Sequence, residues 1–233
     1  CAQFIERLKI ATLRPIMEAY PVLAKLLIEF VEAIVEYTYK IIQDFSQDLS
    51  LLVREFDLVT RKISALHLGL GDPHGQTQTV CSVHIGDVSI IYKPRSGREG
   101  VFYNQLLKML YTKTSEQCLD IYSPVTVCFD NHSWVERIDH VACEHDTDVA
   151  AFYQKMGAQI AVIHALNGID FHRENMIAHG SCPVMIDLEC LFTGAVSDLL
   201  FDLPAESALM KAFRLTRQSV FSSGFVPFAH GAG

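Results

Sequence analysis

The sequence has no excess of positive charge. Its 19 lysines and arginines are outnumbered by 27 aspartates and glutamates, which gives a formal net charge of −8 at pH 7 with histidine neutral. Proteins that bind nucleic acid non-specifically neutralise phosphates with a basic surface. The composition therefore argues against nucleic acid as a partner. Any contact with a nucleotide has to come from local cations such as Lys93 and Arg95.

The cysteines show no pairing pattern. There are seven of them, an odd number, and no Cys-x-x-Cys occurs; they are Cys1, Cys81, Cys118, Cys128, Cys143, Cys182 and Cys190. Disulfide frameworks and structural zinc sites need paired or closely spaced cysteines. The sequence therefore predicts neither of these, and it predicts a reducing cytoplasm as the compartment of the protein.

A membrane-spanning segment is also missing. The most apolar stretch, residues 16–35, is interrupted by Glu18, Lys25, Glu29 and Glu32. A transmembrane helix needs about 20 consecutive, predominantly apolar residues. The start of the chain likewise lacks the basic segment and clean apolar run of a signal peptide. The sequence predicts no transmembrane segment.

Two acidic motifs stand out in the second half of the chain. Residues 170–175 read Asp-Phe-His-Arg-Glu-Asn, and residues 187–189 read Asp-Leu-Glu. The first Asp and the Asn are five positions apart, and the second Asp follows the Asn by twelve. Kinase active sites have this order, with one Asp that faces the attacking hydroxyl and an Asn and a second Asp that hold magnesium. The spacing therefore predicts Asp170 as a catalytic residue, and Asn175 and Asp187 as ligands of Mg²⁺.

Glu189 extends the predicted metal site. It lies two positions past Asp187, and residues two apart on an extended strand face the same side. Its carboxylate is therefore predicted to be a further ligand of the cation.

Lys93 ends a predicted β-strand. Residues 88–95 read Val-Ser-Ile-Ile-Tyr-Lys-Pro-Arg, and the pair Gly86-Asp87 joins this strand to residues 79–85 in a tight hairpin. Kinases keep the lysine that holds the nucleotide phosphates at such a place. Lys93 is therefore predicted to bind ATP and to act in catalysis. Residues 69–75 precede the hairpin and predict a glycine-rich turn whose backbone N–H groups approach phosphate oxygens.

The order of these elements predicts an α+β fold in three regions. Residues 1–66 form a helical N-terminal region, residues 67–140 form a small lobe that contains Lys93, and residues 141–233 form a partial large lobe with the catalytic loop. A helix over 146–168 ends in a left-handed cap at Asn167-Gly168. Residues 222–233 finish no recognisable element.

Together these motifs resemble the dehydratase domain of class II lanthipeptide (lantibiotic) synthetases, the LanM-type enzymes. The resemblance covers about residues 71–192. It is carried by five segments: Gly71-Asp72-Pro73-His74, Tyr92-Lys93-Pro94-Arg95, Trp134-Val135-Glu136, the Asp170–Ala178 stretch and the Pro183–Glu189 stretch.

The resemblance implies a fold and a chemistry. The fold would be kinase-like with two lobes, similar to lipid kinases. The family phosphorylates Ser and Thr of a precursor peptide with ATP and Mg²⁺, and then eliminates phosphate to leave dehydroamino acids. The resemblance also implies that Asp72 and His74 lie near the phosphates as cofactor-binding residues, together with Lys93 and Asn175. His172 would help Asp170 to place the substrate hydroxyl or the phosphate.

The sequence also departs from the family. Thr77 and Gln78 stand where the family has a glycine followed by a basic residue. Family members are several times longer, and they continue through the elimination residues into a zinc-dependent cyclase domain. We therefore expect this chain, which begins at Cys1, to be a fragment with a truncated large lobe. Its expected partners are a precursor peptide with a leader sequence and the remainder of the synthetase.

Three other functions fit parts of the pattern. A small-molecule kinase of the aminoglycoside-phosphotransferase type shares the rhythm of the catalytic loop. A non-catalytic remnant would bind nucleotide or leader peptide only. A metal-dependent phosphohydrolase would use Asp72, His74, Asp170, His172 and Asp187, and would not need Lys93.

Overall fold

The computed structural model describes residues 14–74, 78–193 and 207–225. The chain separates into two compact units, residues 1–94 and residues 95–233. Both units combine helices with antiparallel strands, so the predicted α+β class is confirmed.

The first unit begins with two helices. Helix α1 spans Arg14–Ala19, and helix α2 spans Pro21–Glu55. Pro21 stands at the first turn of α2, where its fixed φ fits a helix and its missing N–H costs no hydrogen bond. The helical segment ends at Glu55, and residues 56–64 connect it to a strand that begins at Ala65, whereas the sequence predicted helices up to residue 66.

Three antiparallel strands follow: β1 (Ala65–His74), β2 (Gln78–Ile85) and β3 (Val88–Lys93). Ile85 pairs with Val88 around the two-residue turn Gly86-Asp87, so the predicted tight hairpin is confirmed.

The predicted glycine-rich turn over residues 69–75 is wrong for its described part. Residues 69–74 belong to β1, and the β1–β2 ladder shifts register on either side of Leu70. Gly69 and Gly71 have φ angles of +84° and +83°. Glycines with positive φ inside a paired strand produce bulges, which keep the strand running where a turn was expected.

A buried polar network joins α2 to β3. The Tyr92 hydroxyl donates to Asp44 Oδ2 at 2.6 Å, and Lys40 Nζ donates to the same oxygen at 2.5 Å. Burial raises the pKa of Tyr92, and the hydrogen bond to Asp44 raises it further. Around the network, α2 packs its apolar face against the sheet through the buried side chains of Tyr37, Ile41, Phe45 and Leu52. Because Tyr92 directly precedes Lys93, the network fixes the end of β3.

The second unit contains α3 (Arg98–Thr114), β4 (Thr126–Cys128), β5 (Ser133–Glu136), α4 (Asp146–Ala165), β6 (Met176–His179), β7 (Cys182–Met185) and α5 (Ala208–Arg217). Strands β4 and β5 form one antiparallel pair, and β6 and β7 form another. Trp134 on β5 is fully buried. The helix predicted over 146–168 is confirmed, although it ends at Ala165.

The core of the second unit is an apolar cluster with one polar link. The cluster consists of Tyr103, Leu107, Ile163, Phe171, Met185 and Leu191. Next to it, the fully buried Gln159 accepts a hydrogen bond from the Tyr103 hydroxyl at 3.1 Å and donates to the Pro183 carbonyl at 2.6 Å. The Gln159 side chain therefore ties α3, α4 and β7 together and leaves no buried polar atom of its amide unpaired.

No helix in the described ranges is both long enough and apolar enough to cross a lipid bilayer.

Replacing Tyr92 with phenylalanine tests the buried network. Tyr92→Phe removes one donor to a buried carboxylate and leaves Lys40 paired with Asp44, so we expect a loss of about 1–2 kcal/mol in the free energy of unfolding. The matched control is Tyr39→Phe, because Tyr39 lies on α2, the helix that carries Asp44, and is 68% exposed. Urea denaturation followed by circular dichroism measures both. Equal stabilities of the two variants would show that the Tyr92 hydrogen bond contributes nothing.

Candidate functional site

The candidate site is built on the loop that follows α4. Asn167 takes a left-handed conformation with φ +54°, which confirms the predicted cap. At Gly168 a Cβ atom would lie 2.6 Å from Ile163 and 2.8 Å from Phe171. Only glycine allows the chain to pass this close to the core, and the loop therefore leaves the helix directly over the apolar cluster.

Phe171 anchors the loop. Its ring is 1% exposed and stacks on Phe225 with ring centroids 5.8 Å apart. Its backbone N–H donates to the Ser223 carbonyl at 2.7 Å. With Phe171 held in the core, the side chains on either side of it, Asp170 and His172, are left exposed.

The segment that holds Phe171 was not predicted from the sequence. Residues 222–225 were expected to belong to no element, yet Val220–Ser223 forms a 3₁₀ turn and Gly224 follows it with φ +89°. A Cβ at Gly224 would lie 3.0 Å from the Phe171 nitrogen. Gly224 is needed for its positive φ and for its close approach to Phe171. Neither property can be recognised from the sequence, because both depend on a contact between segments that are distant along the chain. The rest of that expectation, residues 226–233, lies outside the described residues.

Asp170 and His172 form a pair at the surface. Asp170 has φ +67°, a conformation that Asp tolerates better than most residues. His172 Nδ1 accepts a hydrogen bond from the Glu174 backbone N–H at 3.3 Å. In the neutral imidazole the proton is then on Nε2, which lies 3.4 Å from Asp170 Oδ1. The loop therefore favours the tautomer of His172 in which the proton is on Nε2, and this nitrogen lies beside the Asp170 carboxylate.

A hairpin brings Asn175 next to Asp187. Strands β6 and β7 pair from Met176↔Met185 to His179↔Cys182, and the Ile186 N–H donates to the Asn175 carbonyl at 3.0 Å. The Asn175 side chain donates through Nδ2 to the Asp170 carbonyl at 2.8 Å. This bond uses the donor end of the amide, so the acceptor oxygen Oδ1 is the end suited to a cation. The eleven residues between Asn175 and Asp187 thus form a hairpin that brings its two flanking residues to one edge of the unit.

Asp187 and Glu189 converge on an arginine. Arg95 Nη2 lies 2.5 Å from Asp187 Oδ1, and Arg95 Nη1 forms an ion pair with Glu189. Glu189 was expected to lie on the same extended strand as Asp187; that expectation is wrong, because β7 ends at Met185 and residues 187–189 follow it. The Glu189 N–H instead bends back to Asp187 Oδ1 at 3.4 Å. The two carboxylates still meet at one point.

Arg95 was assigned no role at this site from the sequence, which offered it only as a local cation. It is separated from Asp187 by 92 positions, and from the sequence it stood out only as a local cation in the Tyr-Lys-Pro-Arg motif.

The pKa of the Cys190 thiol depends on the same charged groups. Burial raises the pKa of its thiol, the Asp170 and Asp187 carboxylates raise it further, and Arg95 lowers it. Asp170, Asp187 and Arg95 therefore act electrostatically on one thiol.

The donors fit a hard divalent cation. Asp187 and Glu189 offer carboxylates that already hold a positive group between them, and Asn175 offers an amide oxygen. In the described part of the chain, no group of three or more His, Cys, Asp and Glu side chains is arranged to hold a metal ion. Mg²⁺ is commonly bound by only one or two carboxylates, with water and phosphate oxygens as its other ligands. These oxygen ligands therefore suit Mg²⁺ better than zinc.

Three predicted site residues belong to the first unit. Lys93 ends β3 with a half-buried side chain. Asp72 and His74 lie on β1, and their side chains are outside the described part of the structure. The structure thus places Asp170, His172, Asn175, Asp187 and Glu189 in the second unit, and the roles of all eight residues remain predictions.

A Gly224→Ala substitution tests whether the segment after α5 supports the loop. The methyl group would press on the Phe171 backbone, and such overpacking costs about 1–3 kcal/mol of folding free energy. Gly180→Ala is the matched control, because Gly180 also has positive φ but has no atom within 4 Å of its Cβ position. We expect Gly224→Ala to melt at the lower temperature in differential scanning calorimetry. If both variants lose the same stability, backbone strain alone accounts for the effect.

Comparisons with known proteins agree with the motifs. A family model described as "Domain of unknown function (DUF4135)" matches residues 20–233. The chain is also 29% identical over 189 residues to "Lacticin 481/lactococcin biosynthesis protein LcnDR2" of Lactococcus lactis subsp. lactis. That similarity covers 76% of this chain and 20% of the relative, so the chain spans about a fifth of the length of that protein.

The family match extends over both units and includes every predicted site residue. The resemblance expected from the Tyr-Lys-Pro-Arg and Asp-Phe-His-Arg-Glu-Asn motifs is therefore confirmed, and the chain belongs to the DUF4135 family, the N-terminal region of LanM-type lanthipeptide synthetases.

Proposed function

We propose that this chain acts in lanthipeptide biosynthesis, where it transfers phosphate from ATP to Ser and Thr side chains of a precursor peptide. The observation that carries the proposal is the convergence of Asp170, Asn175, Asp187 and Glu189 at one edge of the second unit. The similarity to a lacticin 481/lactococcin biosynthesis protein favours a peptide over an aminoglycoside-like small molecule as the substrate.

Asp170 is the residue proposed to meet the peptide hydroxyl. Its side chain is 60% exposed, so a substrate can reach it, and His172 holds an N–H towards its carboxylate. Asp170 accepts the hydroxyl proton or orients the hydroxyl towards the phosphate, which is the part that a carboxylate plays in phosphoryl transfer. His172 orients that carboxylate and is available to contact the phosphate.

Asn175, Asp187 and Glu189 are the proposed ligands of Mg²⁺. When bound, the cation would neutralise charge on the phosphates of ATP. The chain's own contribution is to hold three oxygen donors at fixed places: the hairpin positions Asn175 and Asp187, and the turn after β7 positions Glu189.

Lys93, Asp72 and His74 are proposed to contact the nucleotide phosphates. The support for Lys93 is its place at the end of β3, which the Tyr92–Asp44 network holds. A kinase-like fold belongs to the same proposal, as does a cytoplasmic location.

Elimination of phosphate to dehydroamino acids would complete the family reaction. No residue of this chain is assigned to that step. The proposed partners are a precursor peptide with its leader sequence and the remaining part of a synthetase, including a cyclase domain.

Binding of Mg²⁺–ATP is the first test. A ligand that binds only the folded state raises the melting temperature, and a concentration of 100 times Kd adds about 2.7 kcal/mol of stability. We expect a rise in wild type that is lost in Asp187→Asn and kept in Asp130→Asn. Asp130 is a suitable control because its carboxylate is 91% exposed and pairs with Arg98 at the surface. A cooperative melt without any rise in wild type would contradict the proposed nucleotide site.

Peptide phosphorylation separates catalysis from binding. Asp170→Asn keeps a residue type that tolerates positive φ but removes the carboxylate. We expect the phosphorylation rate to fall by about 10²–10⁴-fold, while the Mg²⁺–ATP melting shift stays. The substrate is a leader-containing, Ser- and Thr-rich peptide encoded beside this chain, and phosphopeptide is detected by mass spectrometry. Undiminished phosphorylation by Asp170→Asn would remove Asp170 from the proposed mechanism.

A further inference from the structure

Arg95 is placed where the proposed metal would bind. Its guanidinium contacts both Asp187 and Glu189, one carboxylate through each terminal nitrogen. Its side chain is only 20% exposed, whereas that of Arg98, three positions later, is 68% exposed. A half-buried guanidinium between two half-exposed carboxylates is a specific ion-pair arrangement, unlike a solvated surface contact.

The two cations compete for the same oxygens. Asp187 and Glu189 together carry two negative charges, which a divalent ion alone would neutralise. With the guanidinium still in place, the metal would meet a positive charge within a few ångströms and would lose ligand oxygens to it. Metal binding and the Arg95 ion pairs therefore exclude one another.

We propose that Arg95 is an exchangeable counter-ion that couples metal binding to nucleotide binding. Without metal, its guanidinium neutralises Asp187 and Glu189 and holds them together. When the metal takes these carboxylates, the guanidinium leaves and binds a phosphate group of the nucleotide. This inference rests on the proposed function, since it takes Asp187 and Glu189 as the metal ligands.

Arginine suits both positions. Its planar fork of N–H donors matches a carboxylate and a phosphate in the same bidentate way. The exchange therefore replaces one anionic partner with another, and the guanidinium is never left in a low-dielectric site without a partner.

The backbone around Arg95 is held, so the exchange is a movement of the side chain. Pro94 restricts the chain on one side. On the other side Gly97 has φ +67°, and a Cβ there would lie 2.8 Å from Ser133 Oγ. Side-chain rotation is fast and needs no refolding of the loop.

Cooperativity follows from this exchange. In wild type, metal alone binds weakly because it must displace the guanidinium, whereas metal with nucleotide binds tightly because the guanidinium gains a phosphate. Coupling between two ligands is typically about 5–150-fold in affinity. Removing Arg95 should abolish most of that coupling, and it should strengthen metal binding in the absence of nucleotide.

The experiment compares four versions of the 233-residue chain: wild type, Arg95→Gln, Arg95→Lys and Arg98→Gln. Isothermal titration calorimetry measures Mn²⁺ binding with and without a non-hydrolysable ATP analogue, since Mn²⁺ also accepts hard oxygen ligands. Arg98→Gln is the matched control, because it removes an arginine three positions away that pairs with the exposed Asp130. Circular dichroism melts without metal verify that each chain folds.

We expect Arg95→Gln to bind Mn²⁺ alone about five-fold or more tightly than wild type. We also expect the nucleotide analogue to increase the Mn²⁺ affinity of this variant by less than half of the wild-type increase, with both increases compared as logarithms. Arg95→Lys should lie between them, because lysine keeps the charge but not the fork. Arg98→Gln should match wild type. Without metal, Arg95→Gln should melt below wild type, because two neighbouring carboxylates then repel each other.

Two different failures can be distinguished. If all four chains bind Mn²⁺ with the nucleotide analogue and Arg95→Gln has unchanged or weaker affinity for Mn²⁺ alone, the exchange is overturned while the proposed function stands. If folded wild type and Arg98→Gln bind neither Mn²⁺ nor the analogue, the metal–nucleotide site itself is overturned, and the exchange with it.

Discussion

The buried ring of Phe171 is the contact on which the geometry of the site depends. It holds the middle of the loop in the core beside Ile163 and Leu191 and stacks on Phe225. Burying a phenylalanine side chain contributes about 1.5–3 kcal/mol, whereas a left-handed residue such as Asp170 costs about 1–2 kcal/mol. The ring is therefore enough to offset the strain, and the exposed positions of Asp170 and its neighbour follow from it. The exposed side chains of the site are therefore attached to a loop whose central residue, Phe171, is part of the apolar core of the second unit.

Features with a local signal could be predicted from the sequence. The Gly86-Asp87 hairpin, the helix after residue 146 and the cap at Asn167 each depend on a few neighbouring residues whose conformational preferences are strong. The short strands on either side of Gly180 belong to the same class. The cap at Asn167 precedes Asp170, and the two short strands lie between Asn175 and Asp187. The order of these elements along the chain therefore indicated that the three residues lie near one another.

Features that depend on distant contacts could not be predicted. Arg95 meets its carboxylates across more than 90 positions, and the fully buried Gln159 joins a tyrosine and a carbonyl from two other elements. Composition and periodicity carry no information on such pairings. The turn predicted at Gly69 and Gly71 was wrong for another reason. Glycine allows positive φ both in turns and in bulges, and only the pairing with β2 decides between these two structures.

In the β6–β7 hairpin, the sequence interval between Asn175 and Asp187 depends on the length of the two strands. Asn175 and Asp187 flank the base of a ladder that begins at Met176↔Met185, while the turn at Gly180 lies at the opposite end and forms hydrogen bonds with Val141 and Cys143. Lengthening both strands by equal numbers of residues at the turn would change the interval in the sequence and leave the base as it is. Related chains can therefore carry the same site at intervals other than twelve. A motif search that requires a fixed interval would miss them, whereas one that requires two pairing strands between an Asn and an Asp would not.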